Sequence, residues 1–296
     1  MSVKCLICEG EEFQPFLACK DYMVSQAQFT LVACASCGFV FTHPAPSESE
    51  IGPYYQSEEY VSHSATRRGA VNKLYHWARY YALVQKFKLI FRLNGGTTGK
   101  MMDYGCGTGA FLSFCKKNRW NVLGIEPEEK ARKFLFDNEG ISAENSIFSL
   151  PVDVQEGSLD IVTAWHVFEH VHALRETIMK IKELLKKGGH LVVALPNRSS
   201  FDAKHYGAVW AAYDVPRHLY HFRQEDIIKL LAGFEFLHVS TLPMLFDSFY
   251  VSMLTEKYKG SKGSFMKGAL RGLQSNIKAF SGVRNYSSQV YVFRNG

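Results

Sequence analysis

With 296 residues, 47 % of them hydrophobic and 21 % charged, the chain can bury a full core, and its length allows about two domains. Its apolar runs stop short of the roughly 20 residues that cross a bilayer, and Met1-Ser2-Val3-Lys4-Cys5 holds no apolar signal core; both argue for a cytoplasmic protein. The formal net charge of +6 tolerates acidic partners without requiring them, and seven cysteines, an odd number, point to metal ligation or free thiols rather than disulfides.

Two C-x-x-C knuckles come first, Cys5/Cys8 and Cys34/Cys37. Together they can place four thiolates around a tetrahedral Zn2+, and Phe13, Phe16, Tyr22 and Phe29 between them suit a small β-rich core. The pattern resembles a zinc ribbon over residues 1–46; four thiolates close the metal to substrate, so the ion is expected to be a structural staple. Pro44-Ala45-Pro46-Ser47 breaks helix and ladder alike and opens a linker over 47–73. Within it, the stretch from Tyr54 to His63 is rich in aromatic and hydrogen-bonding tips, which suits packing. Leu74 to Phe91 has apolar residues at helical spacing and stops at Asn94-Gly95-Gly96.

Met101 to Gly109 reads M-M-D-Y-G-C-G-T-G, a short strand that ends on an acid and passes through glycines into a helix at Ala110. Bare backbone at a helix N-terminus lets a ligand come close to unpaired N–H groups. The spacing D-x-G-x-G-x-G matches neither the lysine-bearing phosphate loop nor G-x-G-x-x-G. One β-α unit on, Asn121 to Glu126 is an apolar strand ending in a carboxylate, where doubly wound sheets hold ribose hydroxyls. A helix from Glu128 to Asn138, a weak strand near Ile141 to Ile147 and a fourth strand from Leu159 to Trp165 follow. Next are a helix from Leu174 to Lys187, ended by Gly188-Gly189, and a strand from His190 to Leu195 stopped by Pro196. Such alternation predicts an α/β fold with a parallel sheet.

D-Y-G-C-G-T-G followed by G-I-E resembles the first two signature motifs of class I S-adenosylmethionine-dependent methyltransferases, and the likeness runs from about Tyr75 to the C-terminus. The resemblance implies a Rossmann-like, doubly wound sheet of seven strands over 74–296, mostly parallel, with Gln289 to Phe293 as a final antiparallel strand beside Phe234 to Ser240. It also implies that Asp103 orients the loop, that Gly105 and Gly107 admit the cofactor, and that Glu126 accepts both ribose hydroxyls. Tyr104, Cys106, Ile147, Trp165 and His166 would complete the cofactor surface, with Tyr60 if the Tyr54 to His63 stretch, which resembles the segment that closes over the cofactor in zinc-ribbon methyltransferases, is a lid rather than packing. Family members often carry an acid for adenine on the third strand; Ser146 stands there, which shifts adenine recognition to the backbone around Ile147 and Phe148.

At the end of the fourth strand comes His166-Val167-Phe168-Glu169-His170, whose polar residues would share one face of a helix beside the cofactor loop. No N-P-P-Y or D-P-P-Y, the motif of amino-methylating family members, is present. A second polar cluster, Trp210 and Tyr213 to Phe222, contains His218 and His221 and precedes a helix over Glu225 to Leu231. Glu169, His170 and one of His218 or His221 partly match the E-x-x-E-H divalent-metal site of ubiquinone-type and small-RNA O-methyltransferases, although His166 replaces the first glutamate. Three readings stay open: a metal-free general base, a divalent metal, and structural histidines. From Phe249 to Arg284 seven basic residues face the single acid Glu256, which suits a solvated helix face or a surface for anionic lipid or substrate phosphate.

The zinc-ribbon knuckles together with the methyltransferase motifs resemble zinc-ribbon C-methyltransferases of sugar biosynthesis, a resemblance that implies methyl transfer from S-adenosylmethionine to a small-molecule acceptor, a carbohydrate or other metabolite, at carbon or oxygen. An RNA methyltransferase whose zinc ribbon grips nucleic acid is one alternative, and a non-catalytic interaction module on the cofactor fold is another.

Overall fold

The computed structural model describes residues 3–56, 70–152, 154–282 and 284–296, with side chains of the segment that begins at 70 described from His76 onward. Near the N-terminus lie β1 (Phe13–Lys20), β2 (Gln28–Cys34) and β3 (Val40–Thr42). The helix α1 (Ala70–Leu93) leads into β4 (Lys100–Tyr104), α2 (Ala110–Lys117), β5 (Asn121–Ile125), α3 (Glu129–Glu139) and β6 (Ala143–Glu144). Then come β7 (Leu159–Trp165), α4 (Leu174–Leu184), β8 (Leu185–Pro196), α5 (Phe201–Tyr206), β9 (Tyr220–His221) and α6 (Gln224–Ala232). The last elements are β10 (Phe236–Pro243), α7 (Asp247–Tyr258), α8 (Ser264–Ser281) and β11 (Ser288–Asn295).

The main sheet has seven strands in the order β10-β11-β8-β7-β4-β5-β6. Strands β4 to β8 run parallel, and β11 runs antiparallel to both β8 and β10. The alternation predicted the parallel part of this sheet, and the Rossmann-like order of seven strands with the antiparallel strand last in the chain is the one the family resemblance implied. Met101 and Met102 on β4 are both fully buried, as a central strand covered on both faces requires. The order turns around between β4 and β7, which opens a crevice at their C-terminal ends, next to Tyr104 and Trp165.

Some element bounds differ from the sequence reading. The third strand shrinks to Ala143–Glu144, paired with Gly124 and Ile125, because this edge strand has a single neighbour to hold it. The helix expected to reach Lys187 stops at Leu184, since Leu185 turns extended, pairs with Leu159 and buries its side chain. Pro196 does end the strand that follows.

The N-terminal strands form a second sheet, ordered β1-β2-β3-β9, whose last strand comes from the distant polar cluster: Val40 pairs with His221 and Phe41 with Tyr220. Cys5, Cys34, Phe39 and Phe41 share a hydrophobic core with Ile178, Phe222 and Leu231. No helix among the described residues is long and apolar enough to cross a membrane.

Candidate active site

The glycine loop lies at the C-terminal end of β4. Gly105 and Cys106 donate their N–H groups to the Ile125 carbonyl at 2.8 and 2.9 Å. The Glu126 carboxylate accepts from Gly107 N at 2.8 Å and from Glu128 N at 2.9 Å, so the acid and the loop are fixed to each other. Gly105, Gly107 and Gly109 all have positive φ, but their surroundings differ. A Cβ at Gly105 would come within 2.5 Å of Val167 and one at Gly109 within 2.1 Å of Leu135, whereas at Gly107 nothing lies within 4 Å. The outer glycines are therefore demanded by packing, and Gly107 presents bare backbone to open space.

Asp103 lies beneath this loop, 3 % exposed, and accepts a hydrogen bond from Thr163 Oγ1 at 2.5 Å. Burial pushes its carboxyl up to about 6, against the opposing pull of Thr163 and the nearby Lys86. Lys86, on α1, holds its ammonium 4.1 Å above the Trp165 ring, and the buried Trp165 Nε1 has no hydrogen-bond partner. Burial lowers the Lys86 pKa, and Asp103 and Asp247 counter it. The crevice is thus lined by a carboxylate, an ammonium, an aromatic face and an unpaired indole N–H.

The segment after β7 is not the helix face expected. His166 takes a left-handed backbone, φ 58°, with its N–H on Ala194 O, and only Phe168–His170 forms a 3-10 turn. The strand end forces this kink, and the histidines separate in role. Nε2 of His166 is 3.0 Å from Asp247 Oδ2 and Nδ1 is 3.5 Å from Glu169 Oε1. Burial disfavours its charged form, but the bonds to Asp247 and Glu169 outweigh that and carry it up to about 10, making it an imidazolium at neutral pH. His170 is pushed the other way, down to about 4, by burial and by His218.

His170 Nδ1 lies 3.0 Å from the Arg217 carbonyl and 3.1 Å from Tyr55 OH. A carbonyl only accepts, which assigns the proton to Nδ1 and leaves the Nε2 lone pair free. His218 Nδ1 is likewise 2.9 Å from Ala212 O, and the two rings meet edge to face at 4.5 Å. Glu169 is 1 % exposed, the 3.5 Å ion pair of its Oε1 with His166 is its one polar side-chain contact among the described residues, and donor atoms of Glu169, His170 and His218 all lie within 4.8 Å of one another. Of the two later histidines, His218 is the one brought to His170. His221 Nε2 is instead 3.0 Å from Thr42 Oγ1, a hydroxyl that donates to His218 O.

A methyltransferase-domain family model matches residues 75–241, more than half of the chain. The chain belongs to that family. The methyltransferase is 24 % identical over 206 residues to the ubiquinone biosynthesis O-methyltransferase of Pectobacterium atrosepticum, covering 62 % of this chain and 83 % of the relative. Its fold is that of S-adenosylmethionine-dependent methyltransferases, as seen in one from Thermotoga maritima: TM-score 0.51, 18 % identity, 77 % of this chain and 96 % of that one. Geranyl diphosphate C-methyltransferase from Streptomyces coelicolor, solved with Mg2+, geranyl-S-thiolodiphosphate and S-adenosyl-L-homocysteine, gives a TM-score of 0.50 at 11 % identity, over 72 % of this chain and 76 % of that one.

The four knuckle cysteines of the methyltransferase converge as well. The Sγ atoms of Cys5 and Cys37, and those of Cys8 and Cys34, are 3.5 Å apart, and all four lie within 4.8 Å of one another. Zn–S bonds of about 2.3 Å in a tetrahedron put sulfurs about 3.8 Å apart, so the set fits Zn2+. Of the remaining sequence candidates, Ile147 is buried, Tyr104 and Cys106 are half-buried beside the loop, and Tyr60 lies outside the described residues. Lys86 and Asp247 are site residues that no local motif marks. Arg217, inside the polar cluster read from the sequence and 1 % exposed, binds Asp21 at 3.0 Å, Asp214 at 2.7 Å and the Tyr54 carbonyl at 2.9 Å, so it anchors the segment whose carbonyl holds His170.

Proposed function

We propose that this methyltransferase moves a methyl group from S-adenosylmethionine to a small-molecule acceptor, a carbohydrate or another metabolite, at carbon or oxygen. The observation that carries this reading is the open cradle at Gly107 with the Glu126 carboxylate on its rim. When bound, S-adenosylmethionine supplies a methyl group already activated on a sulfonium. Glu126 is suited to accept the ribose hydroxyls through its remaining lone pairs, and the Lys86 ammonium to pair with the methionine carboxylate. Asp103 holds the floor, and Trp165 presents an aromatic wall with a spare N–H. His170 Nε2, unprotonated at neutral pH, is placed to take the acceptor's proton, while the His166 imidazolium is held between Asp247 and Glu169.

A second form of the reading adds a divalent cation on Glu169, His170 and His218. It is favoured by the buried Glu169 carboxylate, which has only the 3.5 Å ion pair with His166, and by ring nitrogens whose partners across the ring are carbonyls. That ion would supply Lewis acidity at the acceptor. Cys5, Cys8, Cys34 and Cys37 are proposed to hold structural Zn2+. An RNA acceptor has less support, as the segment after β7 lacks N-P-P-Y, and a non-catalytic module has less, because Glu169 stays buried at an energetic cost.

The cofactor pose is tested by titrating the Lys86→Met variant with S-adenosylhomocysteine and with methylthioadenosine, which lacks the carboxylate. The first should bind more weakly by about 1.5 to 3 kcal/mol and the second unchanged, the range for a hydrogen bond to a charged group. Equal losses for both would remove Lys86 from the pose.

A further inference from the structure

We infer that the outer face of α8 is a docking surface for an anionic lipid surface, which brings the mouth of the active site to the membrane. Met266, Leu270, Leu273, Ile277 and Phe280 recur at alternating four- and three-residue spacing, so they form one stripe, and they are exposed by 46 to 82 %. This face is not a core awaiting closure. The opposite one, Gly268, Gly272, Ser275 and Ala279, is buried, and a Cβ at Gly272 would lie 2.7 Å from Phe249 Cα of α7. Ser275 Oγ donates to the buried Asp202 at 2.7 Å, which pins the rotation of α8. The stripe must therefore point outward.

Charge selects the occupant. From Lys257 to Gly296 the sequence has eight basic residues and no acid, and Lys267 and Lys278 are exposed along one flank of the stripe. A second copy of the chain would bring these cations together with no acid of its own helix to answer them, whereas lipid phosphates neutralise them while the stripe enters the acyl boundary. Continuity points the same way. Asn276 Nδ2 donates to the Leu245 carbonyl at 2.9 Å, and the adjacent Phe246 meets Trp77 and Tyr81 edge to face at 6.3 and 5.8 Å. All of these rings are exposed, and the next residue, Asp247, is the partner of His166. An apolar surface thus runs from α8 to the rim of the site, with tryptophan and tyrosine as suits a headgroup region.

Co-sedimentation of the full chain with mixed phosphatidylcholine–phosphatidylglycerol vesicles tests this, with pure phosphatidylcholine vesicles as the comparison. Binding is expected to the anionic vesicles alone, weakened by salt. It should fall about tenfold or more in the Leu273→Asp, Ile277→Asp protein and also fall in Lys267→Gln, Lys278→Gln. The first substitutions are on an exposed face, and an unchanged circular dichroism spectrum confirms the fold. No binding by the wild type, or equal binding by both variants, would overturn the inference. So would a solution dimer that Leu273→Asp converts to monomer. The measurement needs no cofactor, so its failure leaves the methyl-transfer reading untouched.

Discussion

Asp103 is buried beneath the glycine loop and its carboxyl is raised from 3.8 to about 6, so the folded chain holds that proton more tightly than the unfolded one. The sign follows: this group costs the native state stability as pH rises from 3.8 to about 6, and the cost persists above that. Asp103→Asn should gain on the wild type across that window and then keep its lead, measured as the difference between their urea unfolding free energies at a series of pH values. A difference that stays flat would show that the carboxyl is not so shifted. His170→Ala should lower turnover by about 10² to 10⁴-fold with cofactor affinity retained, as for loss of a positioned base; near-normal turnover would leave His170 to packing. Asp103, Glu126 and the glycines were legible because each sits in a local strand-to-turn pattern. Lys86 and Asp247 were not, since each meets its partners only when segments far apart in sequence fold together.

Among elements, strands and helices with steady periodicity were legible to within a few residues, β7 in full. The segment after β7 was not: i, i+3, i+4 spacing is compatible with a helix, but the left-handed backbone at His166 and its bond to Ala194 O are set by the neighbouring strand. Closure of the N-terminal sheet by Tyr220–His221 was equally hidden, because a two-residue strand carries no period. The knuckles, in contrast, could be read directly from their spacing. Elemental analysis should find about one zinc per chain, and Cys8→Ser should lose it and become protease-sensitive within residues 1–46. A metal-free wild type of equal resistance would contradict the zinc assignment.

At the scale of the molecule, the N-terminal sheet and the catalytic sheet are tied together. Arg217 binds Asp21, next to β1, and Asp214 in its own segment, while its carbonyl and the Tyr55 hydroxyl both reach His170, which follows β7. Length allowed about two domains, but not that the N-terminal segment would pair with Tyr220–His221 and bring Tyr55 to His170, because neither segment encodes that pairing alone. The proposed methyl transfer depends on cofactor binding in the crevice between the Gly107 cradle and Glu126. The most direct test is calorimetric titration of S-adenosylhomocysteine into the wild type and into Glu126→Ala. The wild type should bind, and the variant should lose about 1.5 to 3 kcal/mol with the hydrogen bonds to a charged acceptor. Equal affinity in the two proteins, or binding of NAD in place of S-adenosylhomocysteine, would contradict the account.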